Sequence, residues 1–133
     1  MSGSKKVVLH LHGDSWARRY QVASHAVTAA AAGDAVLVVL WFEAARRFVA
    51  GAFDEPLAGE DAEVARRASE LGLPPPSELL REARGLGARV MACETGLKLA
   101  GVKPEAATAL LDGLPGLQEL LSAAKEADLV LYV

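Results

Sequence analysis

Apolar positions along the chain fall into two kinds of run. The short, nearly unbroken ones are Val7-Val8-Leu9-His10-Leu11-His12, Ala35 to Phe42, Ala88-Arg89-Val90-Met91-Ala92 and Leu129 to Val133. They lack helical spacing and read as strands. Ala35 to Phe42 (AVLVVLWF) is apolar throughout, as a central parallel strand covered on both faces requires. Between these runs the pattern turns helical: about Trp16 to Ala32, Glu43 to about Ala50, Glu60 to Leu71, Ser77 to about Leu86, about Thr95 to Ala100, and Leu117 to Ala127. Gly33 closes the first helix, while Gly72 and the Pro74-Pro75-Pro76 spacer close the third. Asp14 or Ser15 suits the start of the first helix, and Ser77 reads as the N-cap of the fourth, with Glu78 in its first turn. Pro104 to Leu111 points both ways. Its alanines favour helix, yet the turn residues Asp112 to Gly116 that follow often succeed a strand.

Strands alternating with helices define an α/β domain with a mostly parallel sheet of four to five strands and helices on both faces. Ligands of such folds bind outside the carboxyl ends of the strands. That edge is expected to carry His12-Gly13-Asp14, Trp41-Phe42-Glu43 and Cys93-Glu94-Thr95. Residues 7–133 read as one domain, and residues 1–6, opening Met1-Ser2-Gly3-Ser4, as a flexible tail.

Composition narrows the function classes. At 133 residues the chain suits a single core, and 52% apolar residues are ample for one. The net charge of −3 is spread along the chain with no basic block, which argues against a nucleic-acid partner. The longest strand-like apolar run is far below the about 20 residues of a membrane helix, so no membrane association is expected. The single cysteine excludes an internal disulfide and any CxxC motif, and it fits a reducing, cytoplasmic setting.

Cys93 is the sharpest chemical signal. It follows a strand and precedes a helix, where free N–H groups favour a thiolate, the form a nucleophile or sulfur carrier needs. Glu94 opposes that effect if it points inward. The bland alternative is a small buried core residue. His10 and His12 share one face of the first strand. His12, at its carboxyl end, is placed to donate to a substrate or polarise the thiol, whereas His10 reads as a hydrogen-bonded structural residue and His25 as a surface or packing one. No third ligand completes a metal site. Gly13-Asp14-Ser15 is too poor in glycine to cradle a phosphate, and neither GxGxxG nor GxxxxGK[ST] occurs, so no flavin, nucleotide or other cofactor is expected. A phosphorelay receiver would need an acidic cluster and an aspartate ending a central strand; lone Asp14 and Cys93 stand there instead. Trp41, Phe42 and Phe53 either wall a pocket or fill core. The small face of the first helix, Ala26 and Ala29 to Ala32, permits close approach of the sheet or of another subunit.

Val90-Met91-Ala92-Cys93-Glu94-Thr95-Gly96-Leu97-Lys98-Leu99-Ala100-Gly101-Val102 resembles the cysteine segment of the DsrE/DsrF/TusD-like sulfur-relay family, where an apolar strand delivers a cysteine to a short helix ending in glycine. The close, Gly113-Leu114-Pro115-Gly116-Leu117 through Ala127-Asp128-Leu129-Val130-Leu131, is similar to that family's ending. The resemblance implies a three-layer flavodoxin-like fold and a homo-oligomer, a trimer or hexamer. It further implies a persulfide carried on Cys93 between a sulfur donor and an acceptor protein, with Ala106 to Leu111 as a fifth strand. His12, Asp14, Trp41, Glu43, Glu94 and Thr95 are the candidate pocket around it. The opposing class is a non-catalytic oligomeric binding protein on the same scaffold, with a structural cysteine. Residues 44–87 depart from the family pattern as a long, proline-spaced helical insertion that could reshape the pocket or the oligomer surface. Cys93-Glu94-Thr95-Gly96-Leu97-Lys98 also superficially matches a rhodanese loop, but an i,i+4 Glu94–Lys98 pair on a helix explains those residues more simply.

Overall fold

The computed structural model describes residues 4–133. Four strands, β1 (Lys6–Leu11), β2 (Ala35–Leu40), β3 (Arg89–Ala92) and β4 (Leu129–Tyr132), pair all-parallel in the order β3-β2-β1-β4. Seven helices connect them: α1 (Trp16–Ala31), α2 (Phe42–Val49), α3 (Glu60–Glu70), α4 (Pro76–Gly85), α5 (Glu94–Leu99), α6 (Pro104–Ala107) and α7 (Leu117–Glu126). This is the three-layer, flavodoxin-like α/β architecture. The sheet begins one residue before the expected Val7, because Lys6 pairs with Ala35 and the Lys5 carbonyl accepts from the Ala35 N–H. Of the expected tail, Met1 to Gly3 lie outside the described residues, while Ser4 and Lys5 are exposed ahead of β1.

Strand alternation sends Val7, Leu9, Leu11, Val36, Val38, Leu40, Val90 and Ala92 to one face, where they form the main core with Val22, Ala23 and Ala26 of α1 and Leu80 and Ala83 of α4. The alanines let α1 lie close to the sheet and to α4, so the small-residue face serves this core. Burying Leu80 alone contributes on the order of 2 kcal/mol. The other face is thinner: Leu120 of α7 packs on Val8, Val39 and Cys93.

Residues 44–87 are tied to the first face by polar contacts. Buried Arg19 of α1 donates to the backbone carbonyls of Asp14, Phe53 and Glu55. Asp61 of α3 accepts from the N–H groups of Trp16, Ala17 and Leu57, at 2.7, 3.2 and 2.8 Å, so it caps α1 alongside Ser15, whose Oγ accepts from Arg18. Ser77 does not cap α4. Pro75 takes that position, and Ser77 donates its own N–H and hydroxyl to Asp54. The helix starts two residues earlier than the serine suggested, because Pro75 holds the extended cap position and Pro76, with its φ pre-set, opens the first turn.

The expected fifth strand, Ala106 to Leu111, is absent. Pro104 starts the short α6, because proline pre-sets the first helical turn and the alanines continue it. The next residues do the covering instead. Asp112 donates its N–H to the Val90 carbonyl at 2.8 Å and accepts the Val90 N–H on Oδ2, while the Gly113 and Pro115 carbonyls accept from Ala92 and Glu94. The outer edge of β3 is thereby closed by an irregular segment that never forms a ladder, since Pro115 has no N–H to give. No helix among the described residues is long and apolar enough to cross a membrane.

Candidate functional site

Register decides which side chains meet at the carboxyl edge. Val8, His10 and His12 share the α7 face of β1 by strand alternation. His10 stands between Val39 and Tyr132, Leu11 pairs with Leu40, and Leu40 pairs with Ala92. One residue further on, His12, Trp41 and Cys93 stand abreast. The strand order also reverses here: β1, β2 and β3 step one way and β4 lies on the other side of β1. Such a switch point is where parallel α/β sheets open a crevice for ligands.

Five aromatic rings gather at that point. His10 stacks on Tyr132 with centroids 4.4 Å apart and planes 3° from parallel, and His12 stacks on Trp41 at 5.0 Å. Phe42 meets His12 edge-on at 6.2 Å. Trp41 Nε1–H donates to His10 Nδ1 at 2.9 Å. An indole nitrogen can only donate, so Nδ1 is an acceptor and the proton of the neutral imidazole sits on Nε2. That Nε2–H is buried and has no hydrogen-bond partner. Burial, and then the neighbouring charge of His12, push the His10 pKa from 6.5 down to about 4, and burial also lowers that of His12. His10 is neutral at neutral pH.

Backbone strain supports the same spot. Phe42 opens α2 with φ +47°, a left-handed conformation that is costly for an aromatic residue. It lets Trp41 stay extended on the sheet face before the chain turns into the helix. Such outliers concentrate at ligand clamps. Gly96 makes room on the far side of the indole: a Cβ there would lie 3.3 Å from Trp41 Cε3 and 3.7 Å from Cys93 Cβ.

Cys93 is the N-cap residue of α5, where the strand-to-helix pattern put it, but it is only 1% exposed. It packs with Val8, Val39 and Leu120, with Trp41 against the same cluster. Trp41 stands between it and His12 in register, so His12 does not reach the thiol: two strand spacings separate their backbones by roughly 10 Å. The acidic candidates are taken by arginine and lysine. Asp14 pairs with Arg47 at 2.7 Å, Glu43 with Arg46 at 2.6 Å, and Glu94 with Lys98 at 3.1 Å. The last is the i,i+4 pair expected against a rhodanese loop. Thr95 is exposed in the first turn of α5.

A cavity of about 180 Å³ opens between the sheet and α7, lined by His10, His12, Trp41, Leu117, Leu120, Leu121 and Tyr132. No residue of the 44–87 insertion reaches it. Of the expected pocket, His12 and Trp41 are there, and Cys93 lies behind Leu120 and Trp41. Sequence reasoning missed His10, Tyr132 and the α7 leucines. The i,i+2 spacing of His10 and His12 already put both rings on one face; a last strand laid beside β1 would have added Tyr132. A second cavity, about 210 Å³, lies at the amino edge among Lys6, Val8, Leu37 and Ala123, without aromatic rings. No group of three or more metal-binding side chains occurs among the described residues.

Compared as a sequence, the chain matches no protein-family model and no curated protein. Compared as a structure, it is similar to the YchN protein from E. coli, with a TM-score of 0.67 over 98% of this chain and 99% of that one, at 18% identity. It is also similar to MTH1491, a protein of unknown function from Methanobacterium thermoautotrophicum, with a TM-score of 0.59 over 98% and 100% of the two chains, again at 18% identity. The chain shares the fold of these two proteins. Both likenesses run end to end, so α2 to α4 belong to an architecture that is similar throughout its length.

Proposed function

We propose that this chain is a DsrE-like binding protein that works as a homo-oligomer, holding a small ligand at the carboxyl edge of its sheet with Cys93 as packing beneath. The observation that carries this reading is the burial of the thiol, 1% exposed in an apolar cluster behind the indole of Trp41. A sulfur carrier must present its sulfur first to a donor and then to an acceptor, and reaction rates depend on that access. The DsrE-like part is supported by the Val90–Val102 segment, by the closing Gly113–Leu131 pattern, and by a fold that is the one those motifs imply. Assembly as a trimer or hexamer is supported by Leu117, Leu121, Leu129 and Tyr132, which are 47–66% exposed on the α7 and β4 side. The single free cysteine supports a cytoplasmic setting.

A second reading, sulfane-sulfur relay through Cys93, is favoured by the placement of the thiol at the end of β3. In that step the Cys93 thiolate attacks the outer sulfur of a donor persulfide. A new S–S bond forms, the donor's own S–S bond breaks, and the donor leaves as a thiolate; an acceptor thiolate later repeats the exchange on Cys93. One experiment separates the readings. The native protein is treated with a sulfane-sulfur donor or with iodoacetamide, and the intact mass is read before and after denaturation. The binding reading expects an unmodified native chain that alkylates rapidly only once unfolded. A native Cys93 that gains the mass of one sulfur atom, with the gain lost in Cys93→Ser, overturns it in favour of relay.

A further inference from the structure

The cavity at the switch point has a chemistry that narrows its ligand, and the inference drawn from it rests on the binding reading above. Its size comes first. At about 180 Å³ it exceeds the roughly 150 Å³ that suffices for benzene in an engineered protein cavity, and it falls short of a typical drug-sized or dinucleotide site. One ring with a small substituent fits.

The walls come second. The indole of Trp41, the phenol ring of Tyr132 and the imidazoles of His10 and His12 supply flat faces, and Leu117 and Leu121 form the aliphatic outer side. Flat aromatic walls favour a planar guest, which gains offset stacking beyond the area it buries.

Charge comes third. No lysine, arginine, aspartate or glutamate lines the cavity. Both histidines are neutral at neutral pH, because their surroundings disfavour the imidazolium. An ionised guest would have to give up its hydration for no compensating charge.

One polar group is left over. The Trp41 hydrogen bond fixes the His10 proton on Nε2, and that N–H is buried without a partner. Buried donors in native proteins are nearly always satisfied, and the exceptions call for an absent partner. The missing partner must be an acceptor, since Nε2–H can only donate in this tautomer. Trp41 is thus a positioning residue: it acts on the guest's acceptor through His10.

We propose that the cavity lined by His10, His12, Trp41, Tyr132, Leu117 and Leu121 binds an uncharged, planar one-ring molecule bearing a carbonyl-type acceptor, which takes the His10 Nε2–H. The guest stacks among the aromatic rings, its acceptor turned to His10 and its ring edge to the α7 leucines. Cys93 takes no part.

The test uses the intact chain labelled with 15N and three probes: acetophenone, ethylbenzene and benzoate. They share a ring and differ in carrying a neutral acceptor, none, or a charge. The Trp41 indole N–H signal, separated from that of Trp16 by a Trp16→Phe sample, reports occupancy; the His10 imidazole nitrogens report the contact. Acetophenone is expected to shift both, and ethylbenzene to shift the indole while leaving Nε2 unmoved. In His10→Phe the affinity for acetophenone should fall about fivefold or more, the worth of one hydrogen bond, with ethylbenzene held within about twofold. Should that variant fail to fold, the Nε2 shift in the unaltered chain decides alone. If acetophenone leaves Nε2 unmoved, or loses no more than ethylbenzene in His10→Phe, the assigned ligand class is overturned while the cavity stands as a binding site. Benzoate binding more tightly than acetophenone would overturn the uncharged assignment. If no probe shifts the indole at its solubility limit, the binding reading falls with it.

Discussion

His10 links local chemistry to stability more directly than any other residue of the site. Its folded pKa of about 4 lies below the ordinary 6.5, chiefly through burial and secondarily through the charge of His12. Between those values the unfolded chain binds a proton that the folded chain refuses, so stability rises with pH across the window and is lost as pH falls from about 6.5 towards 4. The full loss is on the order of 3 kcal/mol, a large share of the roughly 5 to 15 kcal/mol that holds a domain together. Urea unfolding at several pH values should show this slope, and His10→Leu should flatten it in that window. A wild-type profile already flat there would mean that His10 keeps an accessible partner for its proton. Cys93 illustrates how far residue type carries an inference and where it stops. Its place at a strand end follows from its neighbours in sequence. Its burial depends on Leu120 and Trp41, which lie 27 residues ahead of it and 52 behind, and no local pattern encodes them.

At the scale of elements, one carboxylate of α3 helps cap the longest helix. Burial raises the Asp61 carboxyl, but the N–H donors of Trp16, Leu57 and Ala17, aided by the charge of Arg19, outweigh it and hold it below its ordinary value. The stability it contributes is present above the unfolded carboxylate range and is lost as pH falls through the lower folded value. Asp61→Ala should cost about 1 to 2 kcal/mol by leaving the α1 N-terminus short of an acceptor, read as a lower midpoint in denaturant; an unchanged midpoint would show Ser15 to be a sufficient cap. The strands and most helices were legible because apolar runs and breakers are local: all four strands lie where their patterns are, to within two residues at either end. The misread stretches are those whose partners lie far off in sequence. Ser77 looks like a cap until Asp54 is brought to it, and residues 106–111, open between helix and strand by their own pattern, lose the strand that the family resemblance implies because the edge contacts fall to Asp112, Gly113 and Pro115. The aromatic site was half legible for the same reason. His12 and Trp41 directly follow strands that their own apolar runs mark, whereas Tyr132 joins only once β4 is laid beside β1.

Across the whole molecule, the two faces of the sheet differ in cover, and this asymmetry underlies the proposed assembly. Helices α1 and α4 seal one face, while the other has α7, with exposed Leu117 and Leu121 beside exposed Tyr132. Light scattering at low micromolar concentration should report several times the 13.9 kDa chain mass, and Leu117→Glu with Leu121→Glu should reduce it towards one chain. A monomer before substitution would remove the homo-oligomer from the proposal. The closed outer edge of β3 has a consequence for how such copies can associate. β4, at the other end of the sheet, pairs only with β1. A sheet with two bare edges can add neighbour upon neighbour and grow into a ribbon without limit. With Asp112 to Pro115 laid along β3, the described residues leave a single bare edge. Any joining of sheets edge to edge therefore ends at a pair, and runaway fibre growth has no second strand on which to continue.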